Sequence, residues 1–338
     1  MILKTESRIL VLIHNEFSLF NALSIYSHRT HDLHLIIFDD WNVDRDLLSR
    51  LARIVWRFEV YSVKSGGGFV GSWTSQLKVA RRIMASIVPS NYCVYALVLD
   101  RNYCELKVME LFLRESDKPQ FVFIEDGAHS YFHNGVVNRG LASNRLLSTL
   151  RRGGFMILGI RRAYQFVHPE MGGNKLLEAF YLHYPKSQRE LYKADLVREI
   201  EKDSFKKVVR SLANTAYELD GTLFILDHSS TVQDLNYYAD KIRDFTSYQP
   251  CTYLKFHPRE SEDFIGRFNG LYVVERKTTI ERLLAGLPEG SIKVFGLTST
   301  SLMSAKIFGF EAVSLMTEFG VKNKKAEQFF NNLRIPIK

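Results

Sequence analysis

A carboxylate pair, a histidine flanked by cations and a run of four hydroxyls are the parts of this chain that could do chemistry. The pair is Glu125-Asp126-Gly127, delivered by the apolar run Phe121-Val122-Phe123-Ile124. Adjacent carboxylates repel and desolvation disfavours the charged form, so one of the two is expected to titrate high enough to act as a general base. Gly127 permits a sharp exit from the strand. Glu125 comes first and is slightly preferred as the base, with Asp227, at the end of a later strand, as a further candidate. The histidine is His257, in Tyr253-Leu254-Lys255-Phe256-His257-Pro258-Arg259. Pro258 cannot donate to a sheet ladder, so the strand must stop there and leave His257 at its carboxyl end between Lys255 and Arg259. An imidazole between two cations suits an anion, of which phosphate is the commonest in biology. His168-Pro169 repeats the dipeptide but follows no comparable strand. The hydroxyls are Thr298-Ser299-Thr300-Ser301, natural N-cap residues at a helix start, where unpaired N–H groups bind anions. Glu281, opening a helix just past a strand, is placed to accept ribose hydroxyls.

These groups need strands to carry them. Apolar runs at Arg8–His14, Leu33–Phe38, Phe58–Val63, Tyr92–Leu99 and Gln120–Ile124 alternate with helical patterns, which predicts a parallel sheet wound on both faces. A second series begins at Thr222–Leu226 and continues through the His257 strand, Leu271–Val274, Lys293–Phe295 and Glu311–Leu315. The expected fold class is α/β, with two Rossmann-like domains facing each other across a cleft. The expected division is an N-terminal domain 1–185, a helical linker 186–220 and a C-terminal domain 221–338. In open α/β sheets ligands bind at the carboxyl ends of strands, which is where the Glu125-Asp126 pair and His257 fall. Gly66-Gly67-Gly68-Phe69-Val70-Gly71 fits a dinucleotide fingerprint, yet it follows the third strand and no Asp or Glu occurs over Ser72–Leu99 to hold a ribose. It reads as a flexible loop.

The bulk numbers narrow the classes. With 338 residues, 46% of them hydrophobic, the chain is long enough for two cored domains. Its three cysteines have no metal-ligand spacing and cannot all pair, so a cytoplasmic setting and no metal are expected. No apolar run approaches a membrane span, and Ile9–Ile13 is too short for a signal core. A net charge of +8 implies an acidic partner. Residues 139–162 hold six arginines and no acid; Arg151 and Arg152 among them are read as gripping an anionic glycan or glycolipid acceptor. Pairing with distant acids is the structural alternative, and anionic lipid, with peripheral contact on the inner face of the cell membrane, is another. A nucleic-acid partner is set aside because there is no zinc spacing and no aromatic-plus-basic RNA motif.

Taken together, Glu125-Asp126-Gly127, His257-Pro258 and Ser299-Thr300 resemble, in order and rough spacing over about residues 120–310, the motifs of the bacterial sialyltransferases, the lipooligosaccharide and capsular polysialyltransferase type. That resemblance implies a GT-B glycosyltransferase moving sialic acid from CMP-sialic acid to a hydroxyl of a bacterial surface glycan, with inversion and without cofactor or metal. It assigns Glu125, Asp126 and His257 to catalysis, and Pro258, Ser299 and Thr300 to the donor; beside it, Lys255, Arg259, Glu281 and Thr298 are expected at the donor from their own places in the chain. The alternatives are a GT-B transferase using CMP-Kdo or a UDP-sugar, and, from another class, a basic nucleic-acid-binding protein.

Overall fold

The computed structural model describes residues 8–39, 41, 43–62, 68–97, 103–116, 119–132, 156, 159–163, 177–187, 194–213, 217–229, 232, 234–249, 251–257, 260–275 and 278–338. They fall into two compact units, one of residues 1–126 and 133–201, the other of residues 127–132 and 202–338.

In the first unit β1 (Arg8–Ile13), α1 (Glu16–Ile25), β2 (Leu33–Phe38), α2 (Arg45–Leu51), β3 (Arg57–Tyr61), α3 (Gly68–Ser86), β4 (Tyr92–Leu97), α4 (Tyr103–Glu115) and β5 (Gln120–Ile124) alternate along the chain. After the short α5 (His129–Phe132), which packs with the second unit, come β6 (Leu177–Leu182) and β7 (Val197–Glu199). The seven strands order as β3-β2-β1-β4-β5-β6-β7, every neighbouring pair parallel. A parallel sheet is covered on both faces, so its central strands must be apolar throughout rather than alternating. RILVLI and LHLIIF meet that demand but for His34, whose ring is bonded: Ile9 to Ile13 are fully buried, and so is the whole of β2. The order reverses direction between β1 and β4, the kind of switch point at which such sheets bind ligands.

The second unit holds α6 (Lys202–Leu212), β8 (Gly221–Ile225), α7 (Leu235–Tyr248), β9 (Thr252–Lys255), α8 (Glu262–Ile265), β10 (Tyr272–Val273), α9 (Ile280–Ala285), β11 (Ile292–Gly296), α10 (Thr300–Phe308), β12 (Glu311–Ser314) and α11 (Lys324–Asn332). Its sheet is parallel in the order β10-β9-β8-β11-β12, which puts the switch point between β8 and β11.

The expected strands and most helices of both series are present within a few residues. The stretch 186–220, read as a helical linker, contains β7 as well as α6, and its chain passes from one unit to the other at Glu201/Lys202. β7 is not announced by the sequence because Val-Arg-Glu, with Arg198 and Glu199 exposed, looks like solvated coil. β6 is mostly buried, but exposed Glu178 and half-buried Tyr181 break its apolar run, which hides it in the sequence. Gly66-Gly67 and His168-Pro169 lie outside the described residues, and α3 begins at Gly68. Among the described residues no helix is long and apolar enough to cross a membrane.

Candidate active site

In the first unit the carboxyl edge of the sheet separates the two acids. Glu125 extends β5: its N–H donates to Tyr181 O (3.1 Å) and its side chain is fully buried. Glu125 Oε2 accepts the N–H of His183 (2.6 Å), the residue just past β6. The side-chain amide of Asn21, fully buried in α1, closes this knot: Nδ2 donates to Glu125 O (3.0 Å) and Oδ1 accepts from His183 Nε2 (2.8 Å). Asp126, one residue on, is half-buried and accepts at Oδ1 from Asn15 Nδ2. Asn15 is the N-cap of α1, its Oδ1 accepting the Ser18 N–H (2.7 Å). The preceding His14 stacks on Phe38 (centroids 4.3 Å apart) and bonds Glu105 (2.9 Å). Alternation along an extended backbone thus sends one carboxylate inward and the next toward the rim.

Gly127 has φ +102°, a conformation that costs other residues energy, and a Cβ there would lie 2.6 Å from Thr300 Cγ2. The next amide, of Ala128, donates to Thr300 Oγ1 (3.1 Å). Residues 127–132 therefore pack with the second unit, where Tyr131 stacks on Phe329 (4.4 Å).

In the second unit the switch point is occupied. Asp227 follows β8 and accepts at Oδ2 from Thr298 Oγ1 (3.2 Å), at the end of β11. Burial pushes the Asp227 carboxyl up to about 6, against the opposing hydrogen bonds from Thr298. Ser299 caps α10, taking the Ser301 N–H (3.2 Å). His257 is half-buried at the end of β9, and its ring meets that of His228, which follows Asp227, edge to face at 5.0 Å. Glu260 ties the two loops together: Oε2 accepts from Ser229 N (2.8 Å), and Oε1 from Ser229 Oγ (2.7 Å) and Ser261 N (2.9 Å). Burial would raise its pKa, but the Ser229 and Ser261 bonds, with His228 nearby, hold it below the ordinary value.

Of the residues expected to touch the donor, Thr298, Ser299 and Thr300 gather with Asp227 at this edge, and His257 with His228. Lys255 and Glu281 lie deeper: Lys255 is buried, with Nζ donating to Phe256 O (3.1 Å), and Glu281 Oε1 accepts from Ser304 Oγ (2.6 Å). Burial raises the Glu281 pKa, offset in part by Ser304 and by the Lys255 charge. Pro258, Arg259, Arg151 and Arg152 lie outside the described residues. Of the arginine-rich stretch, Arg161 and Arg162 are described and exposed; their amides and that of Ala163 converge on Glu110 Oε2 at 3.0, 2.7 and 2.8 Å. The sequence reading missed Asn15, Asn21, His183, His228 and Glu260. Only two had a local signal, His228 beside Asp227 and Glu260 three residues past His257. Among the described residues no group of three or more His, Cys, Asp or Glu side chains is placed to hold a metal ion.

Solved structures share this architecture. An alpha/beta-galactoside alpha-2,3-sialyltransferase from Photobacterium phosphoreum aligns over 98% of this chain and 99% of its own at 10% identity and a TM-score of 0.61. The GT-B domain of a sialyltransferase from Photobacterium damselae aligns over 98% of each chain at 11% identity and 0.53. A UDP-GlcNAc 2-epimerase from Neisseria meningitidis aligns over 97% of this chain and 90% of its own at 10% identity and 0.53, so the GT-B fold by itself does not fix the chemistry. Among curated proteins none matches the chain. The family model described as alpha-2,8-polysialyltransferase (POLYST), however, matches residues 78–317, a span that begins in α3 and takes in both acids, His257 and the Thr298–Ser301 run. The chain belongs to the alpha-2,8-polysialyltransferase family and is a glycosyltransferase that transfers sialic acid to a glycan.

Proposed function

We propose that the donor is CMP-sialic acid and that Asp126, rather than Glu125, is the base. The observation that carries the choice is the contrast between the two side chains: Glu125 is fully buried with Oε2 committed to the His183 amide, whereas Asp126 reaches the rim of the sheet. A base must come within hydrogen-bond reach of the proton it takes, which a sealed carboxylate does not. In this reading the acceptor oxygen attacks the anomeric carbon as the bond to CMP breaks. Asp126 takes the hydroxyl proton and the configuration inverts in one displacement. Charge appearing on the departing phosphate is met by His257, with His228 against it, and by Ser299, Thr300 and the positive end of α10. A monophosphate leaving group offers no diphosphate for a metal to chelate, and the reaction needs none. Asp227, whose carboxyl holds its proton up to about pH 6, serves the donor half together with Thr298.

The acceptor is an anionic glycan or glycolipid of the bacterial surface, a capsule or lipooligosaccharide, met on the inner face of the cell membrane, with Arg151 and Arg152 contributing to its grip. The test is incubation with CMP-sialic acid, CMP-Kdo and UDP-sugars against a panel of glycan acceptors, following nucleotide release, product mass and anomeric configuration. Turnover confined to CMP-sialic acid with an inverted product supports the reading. Preference for another donor, or a retained configuration, overturns it.

A further inference from the structure

Asn15 sits where the cap of α1 meets the base, and its amide is committed at both ends. The oxygen accepts the Ser18 N–H at 2.7 Å, and the main-chain oxygen of Asn15 takes both the Ser18 hydroxyl (2.9 Å) and the Leu19 N–H (3.2 Å), which locks the residue in its capping position. With Oδ1 held by the helix, Nδ2 faces Asp126 Oδ1. Rotating the amide to present oxygen to Asp126 would break the cap, so Asp126 always meets a donor. A donor favours the ionised carboxylate, and the positive end of the α1 dipole acts in the same direction. Holding one carboxylate oxygen also sets the direction in which the other points.

We propose that Asn15 is the positioning residue of the reaction, orienting Asp126 and keeping it deprotonated for proton abstraction from the acceptor. The inference rests on the reading of Asp126 as base. Other titratable groups line the same edge: Glu16 in the first turn of α1, the His14–Glu105 pair, and Glu125 with His183. None is altered by the substitutions below.

The test compares kcat/KM against pH, over about pH 5 to 9, for the full chain and for Asn15→Asp, Asn15→Ser and Asp126→Asn, with CMP release from CMP-sialic acid as the readout. Aspartate and serine cap helices as well as asparagine does, so melting temperatures should hold. Asn15→Asp replaces the donor by a second carboxylate. Its acidic limb should move upward by roughly one pH unit or more, with activity returning at high pH. Asn15→Ser loses the donor alone; it should show a smaller shift in the same direction and a kcat lower by roughly tenfold or more, with KM little changed. An acidic limb that stays in place in Asn15→Asp, whatever the drop in rate, overturns the proposal. Should that variant not fold, an unmoved limb in Asn15→Ser does so. If Asp126→Asn turns over normally the base has been misassigned, whereas an inactive Asp126→Asn beside an unmoved Asn15→Asp limb sinks the role of Asn15 alone.

Discussion

At the scale of single residues, the two neighbouring acids should separate cleanly. Asp126→Asn is expected to lower kcat by roughly 10²–10⁴ while donor affinity holds, the usual cost of losing a general base. Glu125→Gln keeps an oxygen for the His183 N–H and should retain kcat within about tenfold while altering stability, because its side chain belongs to the core. His257→Ala should cost roughly 10²–10³ in kcat, as loss of a group that stabilises leaving-group charge does, with little change in melting because the ring stands at a strand end. Steady-state rates beside thermal melts check all three. If Glu125→Gln is the inactive variant and Asp126→Asn is not, the roles are reversed. The sequence displayed the acids and the histidine because their motifs are contiguous. It could not show which acid is sealed, since that is decided by His183 and Asn21, residues 58 and 104 positions away from Glu125.

At the scale of elements, the turn that leaves β5 is fixed by two demands on one residue. Gly127 needs a positive φ, and there is no room for a Cβ against the β-branched Thr300. Gly127→Ala should therefore destabilise by on the order of 2 kcal/mol or more, read from urea unfolding, and should depress kcat by disturbing Asp126 and the head of α10 together. Wild-type stability in that variant would mean that the turn relaxes without strain. The sequence announced Gly127 as a turn but not its partner, 173 residues on. Elements were legible where burial is two-sided and the apolar run continuous, as in β1, β2 and β8. They were hidden where a strand is short and charged, as in β7, or where amphipathic spacing comes late in the chain, as in α11.

At the scale of the whole molecule, two buried groups, one in each unit, should answer acid in opposite ways. In the second, burial lifts the Asp227 carboxyl from 3.8 to about 6, so the native state takes up a proton before the unfolded chain does. The Asp227 contribution to stability rises as pH falls from about 6 to 4, by at most about 3 kcal/mol. In the first, burial pushes the His34 imidazole well below its ordinary 6.5, and the neutral ring bonds Tyr92 (2.6 Å) and Glu59 (3.1 Å). That contribution is complete above pH 6.5 and fades as pH falls below it. Asp227→Asn should thus be more stable than wild type at pH 7 and match it near pH 4. His34→Gln should be weaker at pH 7 and lack the decline below 6.5. Urea unfolding at several pH values checks both, and a wild-type advantage over Asp227→Asn at neutral pH would show that the ionised carboxylate is the favoured form. The six-residue excursion 127–132 has a further consequence, for modular exchange. The chain changes unit three times, so no single cut yields two complete halves. A fragment of residues 202–338 leaves the Phe329 ring and the Thr300 side chain without Tyr131, Gly127 and Ala128. Recombination between relatives that swaps only the C-terminal half would join a new Thr300 pocket to an old hexapeptide, so the two have to be inherited as one piece.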